Sequence, residues 1–418
     1  MRDYGSRLFD SLRETVRLQE STIELLIQNK TTANKHNFIV SELERESFNK
    51  LPKKTPITVQ RNKSVEVVLY NSLAQERLEL VALRTKIPNV KVFDNYGNEI
   101  KIQINPVWNL TDASDGFQSM NVLRASNQLF EVIFVANMPP LAIVTYTVKY
   151  FEEIDKKKSG NLATIYCNEC KGNDPATNKI SHNVFDVKPR QAGDIQLENA
   201  QMRLLFDGSN GFLKSITPKF HQKVVQCAVE FAAYRSAQFH SGAYLFKPDR
   251  EEKDSEKDVL EQYNGSQLIF VTSGPIASDV TVIYGNFLAH TIRIFNSGTS
   301  FDNAIYIEND VNFETPPKNR ETELFMRFVT SIDNGVRSVM YSDQSGFQYH
   351  RRERIQSLGI EASYFPITSG AFIQDNELRL SLLTNHAQGA ASLEPGFLEV
   401  MLDRRTLYDD YRARAGNV

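Results

Sequence analysis

Leu398-Glu399-Val400-Met401-Leu402-Asp403-Arg404-Arg405-Thr406-Leu407-Tyr408-Asp409-Asp410-Tyr411-Arg412 begins as a strand and ends in a knot of charge. Leu398, Val400 and Leu402 alternate with Glu399, Met401 and Asp403, the period-two pattern of a strand with one buried face. Six charges follow within ten residues: Asp403, Arg404, Arg405, Asp409, Asp410 and Arg412. Burying them unpaired would be costly, so a paired cluster at a sheet edge is expected. The residue types allow two readings of it. One is a solvated, salt-bridged loop; the other is a rim facing a sugar, because bidentate arginine and carboxylates suit vicinal hydroxyls.

Upstream, apolar runs rich in Val, Ile and aromatics predict strands at 202–206, 212–216, 224–234, 267–272, 277–284, 288–295, 324–330, 339–341, 378–383 and 398–402. So many strands in one run exceed a single open sheet, and two stacked sheets are expected. A second set at 64–70, 78–84, 90–93, 99–108, 122–134 and 142–150, separated by turns such as Asn95-Tyr96-Gly97-Asn98, predicts a small antiparallel sandwich. The polar stretch between them reads as a linker with one strand at 184–187. A charge-dense run at 249–262 reads as a surface loop.

The N-terminus differs. Residues 2 to about 30 carry Leu8, Leu12, Val16, Ile23, Leu26 and Ile27 at helical spacing. A second helix is expected at 38–48, and such a hairpin alone would be marginal, leaving an apolar face uncovered. The domain plan is therefore 1–50 helical, 51–152 small β-sandwich, 153–195 linker and 196–418 large β-sandwich.

A chain of 418 residues accommodates these units. Its net charge of -3 gives no electrostatic case for nucleic acid. The most apolar stretch, 129–148, contains Glu131, Asn137 and Pro139-Pro140, and reads as two strands around a turn instead of a membrane span. Arg2 and Asp3 open an amphipathic helix, not a signal peptide. Sequons at Asn29, Asn62, Asn109 and Asn264 fit a secretory protein, although such triplets also arise by chance. Cys167 and Cys170 have half-site spacing, but only His182 is near enough in sequence to complete a metal set, so two loop cysteines or a local disulfide are expected. The run Arg351-Arg352-Glu353-Arg354 reads as side chains pairing along a strand. No phosphate loop and no nucleophile elbow occur in the sequence.

Asp403-Arg404-Arg405 followed by Asp409-Asp410 resembles the Asp-Arg-Arg-Leu…Asp-Asp signature of the glycoside hydrolase family 38 α-mannosidases, above all the Golgi type. Arg2-Asp3-Tyr4-Gly5-Ser6-Arg7-Leu8-Phe9, Ser241-Gly242-Ala243-Tyr244-Leu245-Phe246 and Phe372-Ile373-Gln374-Asp375-Asn376 resemble further family segments in the same order. The resemblance implies a mostly β chain whose large sandwich is galactose mutarotase-like. It also implies an enzyme that hydrolyses terminal α-D-mannose during N-glycan processing in the Golgi or secretory lumen. Zinc held by two Asp and two His is implied, with one Asp as nucleophile. In the family these come from a His-Xaa-Asp motif in an α/β domain and from a His-His-Asp motif. This sequence has neither; its histidines at 36, 182, 221, 240, 290, 350 and 386 stand singly. The chain is therefore expected to be the family's C-terminal portion, without catalytic or metal residues and inactive without its N-terminal partner domain.

By the same resemblance, the Tyr244 hydroxyl reaches mannose, Arg404 and Arg405 bring the β-domain to the pocket, and Asp409 and Asp410 orient those arginines. Tyr411-Arg412-Ala413-Arg414-Ala415 departs from the family's Asn-Arg-Gly at this loop. The competing expectation is a catalytically silent sandwich that binds carbohydrate or a partner protein.

Overall fold

The computed structural model describes residues 2–27, 54–108, 125–152, 161–168, 184–235, 247–248, 267–284, 288–311 and 322–405, and of residues 2, 125–128, 235, 322 and 405 the backbone only. The expected helix at 38–48 and the charged run at 249–262 lie outside the described residues. The fold is mostly β, as the alternation predicts, with one helix at the N-terminus.

That helix is Arg2–Ile27, with Asp3 in the first turn where a negative charge complements the helix dipole. Leu8, Leu18, Leu25 and Leu26 on it are exposed.

Among the described residues the strands form sheets of eight, six, four, four and three. A four-stranded sheet (Val65–Tyr70, Ile143–Tyr150, Val90–Phe93, Glu99–Ile100) faces a three-stranded one (Arg77–Thr85, Ala125–Met138, Ile102–Trp108). Phe130, Val132, Phe134 and Ala136 alternate along the long strand and meet Val92, Tyr146 and Val148 in one core. The apolar stretch 129–148 is two strands around Pro139-Pro140, as read.

Ile133, with Gln103 and Ala82 paired on either side of it, lies on the other face of the three-stranded sheet. Ile133 packs with Ile276, Ala277 and Phe295 of the six-stranded sheet. Gln103 locks the two together: its Oε1 accepts from the amides of Ile276 (2.7 Å) and Ala277 (2.8 Å), and its Nε2 donates to the Ala277 carbonyl (2.9 Å). Gly274 makes room, since a Cβ there would fall 2.2 Å from Gln103 Cδ. Beside this clamp lies a buried ionic set. Arg293 donates to Asp279 at 3.0 Å and sits 3.5 Å from Glu131, which also lies 3.8 Å from Arg84. Burial raises the Asp279 carboxyl above its usual range against the pull of Arg293. At Glu131 burial acts the same way, but Arg293 and Arg84 outweigh it and hold that carboxyl below.

The large core is lined by the eight-stranded sheet (in spatial order Ile195–Glu198, Met202–Phe206, Leu213–Pro218, Val225–Arg235, Thr322–Thr330, Phe397–Arg405, Gln388–Ala391, Phe365–Ile367) and by the other face of the six-stranded sheet. Met340, Ala371 and Ile373 of the remaining four-stranded sheet join the same core. The sequence anticipates two stacked sheets here; the third adds an extra layer at one end. Thr164–Cys167 and Asp186–Pro189 complete the six-stranded sheet, so the polar stretch contributes two strands where one was expected. Thr164–Cys167 is only four residues long, too short for its alternation to register. Cys167 is disulfide-bonded, and Cys227 is free and buried. Cys170 lies outside the described residues.

Candidate functional site

Thr322–Thr330 lies between Val225–Arg235 and Phe397–Arg405 and is antiparallel to both. Val229, Phe231, Met326, Phe328, Leu398 and Val400 face the core. Period-two alternation then puts Glu230, Tyr234, Glu323, Phe325, Arg327 and Glu399 on the opposite face. A polar sheet face normally meets water. This one does so only at Glu230, whereas Glu323, Arg327 and Glu399 are 3%, 8% and 0% exposed.

Those charges are accounted for. Arg327 donates from Nε (2.8 Å) to Glu399 Oε1, with Nη2 at 2.8 Å from the same oxygen, and Glu230 lies 3.6 Å away. Glu399 Oε2 accepts from the hydroxyls of Tyr234 (2.8 Å) and Tyr364 (2.5 Å). Tyr364 arrives from a different part of the chain, after the short 3-10 turn Ile360–Ser363. The rings of Tyr234 and Phe325 stack at 4.5 Å, and the Arg327 guanidinium lies 5.0 Å over Phe325 and 5.1 Å over Phe397. Burial pushes the Glu399 carboxyl above the ordinary range, opposed by Arg327 and the two hydroxyls. Burial, then the Glu399 charge, raises both phenols, so Tyr234 and Tyr364 remain protonated donors. The result is a rigid floor whose polar atoms are fixed in direction.

A bulge at the end of this floor decides which arginine joins it. Phe325 pairs with Met401 but Leu324 pairs with Asp403, so Leu402 is an extra residue on its strand. In an unbroken strand, residue 404 would share the core face with Leu398 and Val400. With the bulge, Arg404 comes opposite Glu323, on the face of Tyr234 and Glu399, and forms an ion pair with Glu323. Its own amide donates to Asp403 Oδ1 at 2.9 Å. Arg405 takes the next register position, opposite Thr322. Thr322 is also paired with Arg235, so Arg235 and Arg405 stand at the same end of the sheet.

Of the sequence-predicted site residues, Arg404 is therefore placed on the polar face and Arg405 is placed by register alone. Tyr244, Asp409 and Asp410 lie outside the described residues. Sequence reading missed Tyr234, Tyr364, Glu323, Arg327 and Glu399. The available signal was charge alternating inside strands too apolar to lie open. The expected pairing of 351–354 holds: Arg351 and Arg337 both meet Glu353, and Arg352 donates to Ser342 at 3.0 Å. A pocket of about 470 Å³ lined by Glu76, Arg77, Leu78, Glu79, Asn137 and Ser300 shares no residue with this face.

Residues 197–412 match the family model described as "Glycosyl hydrolases family 38 C-terminal domain". The chain belongs to glycosyl hydrolase family 38. The family match spans both 236–246 and the Asp403–Arg412 stretch. The chain is 42% identical to "Alpha-mannosidase 2" of Spodoptera frugiperda over 419 residues, which is 99% of this chain and 35% of that protein. It is 30% identical to "Alpha-mannosidase 2" of Mus musculus over 420 residues, 98% of this chain and 33% of that one. It thus spans about a third of the length of the curated relatives it matches. A solved α-mannosidase from Enterococcus faecalis V583 overlaps 82% of this chain and 40% of its own, at TM-score 0.46 and 12% identity.

Proposed function

We propose that this chain forms the β-rich wall of an α-mannosidase that removes terminal α-D-mannose from N-glycans in the lumen of the Golgi or secretory pathway. In this reading it works only with the family's N-terminal domain, which supplies the zinc and the carboxylate nucleophile. The family-38 match and the alpha-mannosidase 2 relatives support the activity. The disulfide at Cys167 supports an oxidising compartment. The domain plan 1–50, 51–152, 153–195 and 196–418 belongs to the same proposal.

The observation that carries it is the bulge at Leu402. It turns Arg404 onto the Tyr234–Glu399–Arg327 floor, at the end of the sheet where Arg235 and Arg405 flank Thr322. Arg404, held by Glu323, is then the member of the pair that faces the sugar, as a fixed donor fork for vicinal hydroxyls. Tyr244 adds a flat ring with a polar tip, and Asp409 and Asp410 orient the arginines. These groups bind and orient; none transfers a proton or attacks. Zinc does not fit this part: among the described residues no three His, Cys, Asp or Glu side chains converge.

The chain alone is expected to cleave no aryl α-mannoside, with or without added zinc. Joined in frame to the upstream part of the Spodoptera frugiperda relative, it is expected to restore cleavage. Arg404→Ala in that fusion should lower kcat/KM by about 100-fold, the scale of a misplaced substrate. Turnover by the chain alone, or an inert but folded fusion, would overturn the reading. The lone histidines favour one alternative: a silent carbohydrate-binding or protein-interaction sandwich, indicated by mannoside binding with an inert fusion.

A further inference from the structure

We infer that Asn62 is an N-glycan attachment site. Asn62-Lys63-Ser64 is one of four sequons in the sequence and is fully described in the fold; Asn29, Asn109 and Asn264 lie outside the described residues. A sequon is usable where its asparagine stands on the surface with room for a bulky, hydrated chain. Asn62 meets that requirement. It occupies the tip of a tight turn closed by the Lys63 amide donating to the Gln60 carbonyl at 3.2 Å. Residues 60 to 64 are all exposed.

The turn is held from both sides. Val59 is buried in the small-sandwich core just before it, and Val65–Tyr70 begins just after it. Arg61 folds back over the Tyr150 ring at 5.5 Å and reaches Glu152 at 4.0 Å. The neighbouring side chain is thus drawn down onto the sheet while Asn62 stays exposed. Its amide has no hydrogen-bond partner among the described residues, so attaching a sugar to it breaks nothing in the fold. The disulfide at Cys167 adds independent evidence of the oxidising lumen where such transfer takes place.

The donor is an oligosaccharide carried on a lipid diphosphate. Asn62 Nδ2 attacks the anomeric carbon, a C–N bond forms, and the bond from that carbon to the diphosphate oxygen breaks. The electron pair leaves with the lipid diphosphate, and one amide proton passes to a base of the transferring enzyme. No oxidation or reduction occurs.

The inference shares only the lumenal compartment with the proposed function, and the test separates the two. The full 418-residue chain is expressed in eukaryotic cells behind an added secretion signal, which brings it into the lumen whatever its native address. Peptides covering Asn62 are then read by mass spectrometry, from secreted and cell-retained protein alike, so a poorly folding variant still reports. The expected result is a hexose- and N-acetylhexosamine-containing mass on that peptide, converted to aspartate by peptide N-glycosidase. Asn62→Gln and Ser64→Ala should each remove one glycan's increment in mobility. Recovery of the Asn62 peptide unmodified from lumenal protein would overturn the site and leave the mannosidase reading untouched.

Discussion

Buried between Phe212 and Phe231, with ring centroids at 5.7 and 5.1 Å, His290 is a histidine that the fold keeps neutral. Its Nδ1 lies 2.7 Å from Asn309 Oδ1, an acceptor, so the ring proton sits on Nδ1. Burial pushes its pKa down from 6.5 to about 4, against that hydrogen bond. Between those two values the folded chain binds fewer protons than the unfolded one, so stability rises with pH across that window and levels off above it. The loss on acidification from 6.5 to 4 should be about 3 kcal/mol at this site. Melting curves across that range should show His290→Gln with a flatter pH profile than the parent chain; an unchanged slope would refute the assignment. On the polar sheet face, Tyr234→Phe removes one of two hydroxyls from the buried Glu399 oxygen and should cost about 1–3 kcal/mol. Urea unfolding should show a lower midpoint with an unchanged slope. This site was only half legible in the sequence. Arg404 stood out because it closes an apolar strand with charge. Glu399 did not, because a polar residue alternating with Leu398 and Val400 reads as solvent-facing. The bulge that decides between Arg404 and Arg405 has no marker at all: Leu402 looks like any other strand residue.

At the scale of elements, the strands found from sequence are those with enough alternation or β-branched content to declare themselves. Ala277–Tyr284 and Leu288–Phe295 fall where the apolar runs predict them. Tyr306–Val311, Phe365–Ile367, Gly370–Gln374 and Gln388–Ala391 were not anticipated as strands. Tyr306–Val311 carries Glu308, Asn309 and Asp310, and Gln388–Ala391 is four small or polar residues; tertiary pairing overrides weak propensity in both. The joint between the small sandwich and the six-stranded sheet is likewise invisible in sequence, because Glu131, Asp279 and Arg293 each look like surface residues of their own strand. Its energetics are testable. Arg293→Met would leave Asp279 and Glu131 buried without their shared cation, and the expected cost is about 3–5 kcal/mol by urea denaturation. Adding Asp279→Asn should return part of that loss, since the two changes share one network. A single variant as stable as the parent would mean that water reaches this joint.

For the molecule as a whole, the N-terminal helix differs from the sheets in how it treats its apolar side chains. The sheets bury their apolar faces in pairs, whereas Arg2–Ile27 leaves Leu8 59%, Leu18 62% and Leu25 76% exposed. Most helical stability in proteins comes from packing an apolar face and not from propensity. Local side-chain contacts along it are Arg7 with Asp3 at 3.0 Å, Arg17 with Glu14 at 3.5 Å, and Arg13 over Phe9 at 5.8 Å. Exposed pairs at this spacing contribute only a few tenths of a kcal/mol each. Amide exchange reports the local opening free energy, which runs from near zero at unsupported segments to the global value in core strands. In the isolated chain, residues 8 to 27 should therefore exchange orders of magnitude faster than the amides of residues 130–134, which lie in a strand paired on both sides and are buried on both faces. If the mannosidase reading is right, the helix should gain protection in the fusion with the upstream part of the Spodoptera frugiperda relative, while the core strands stay as they were. Full protection of residues 8 to 27 in a monomer of this chain alone would show that the apolar stripe is already covered from within.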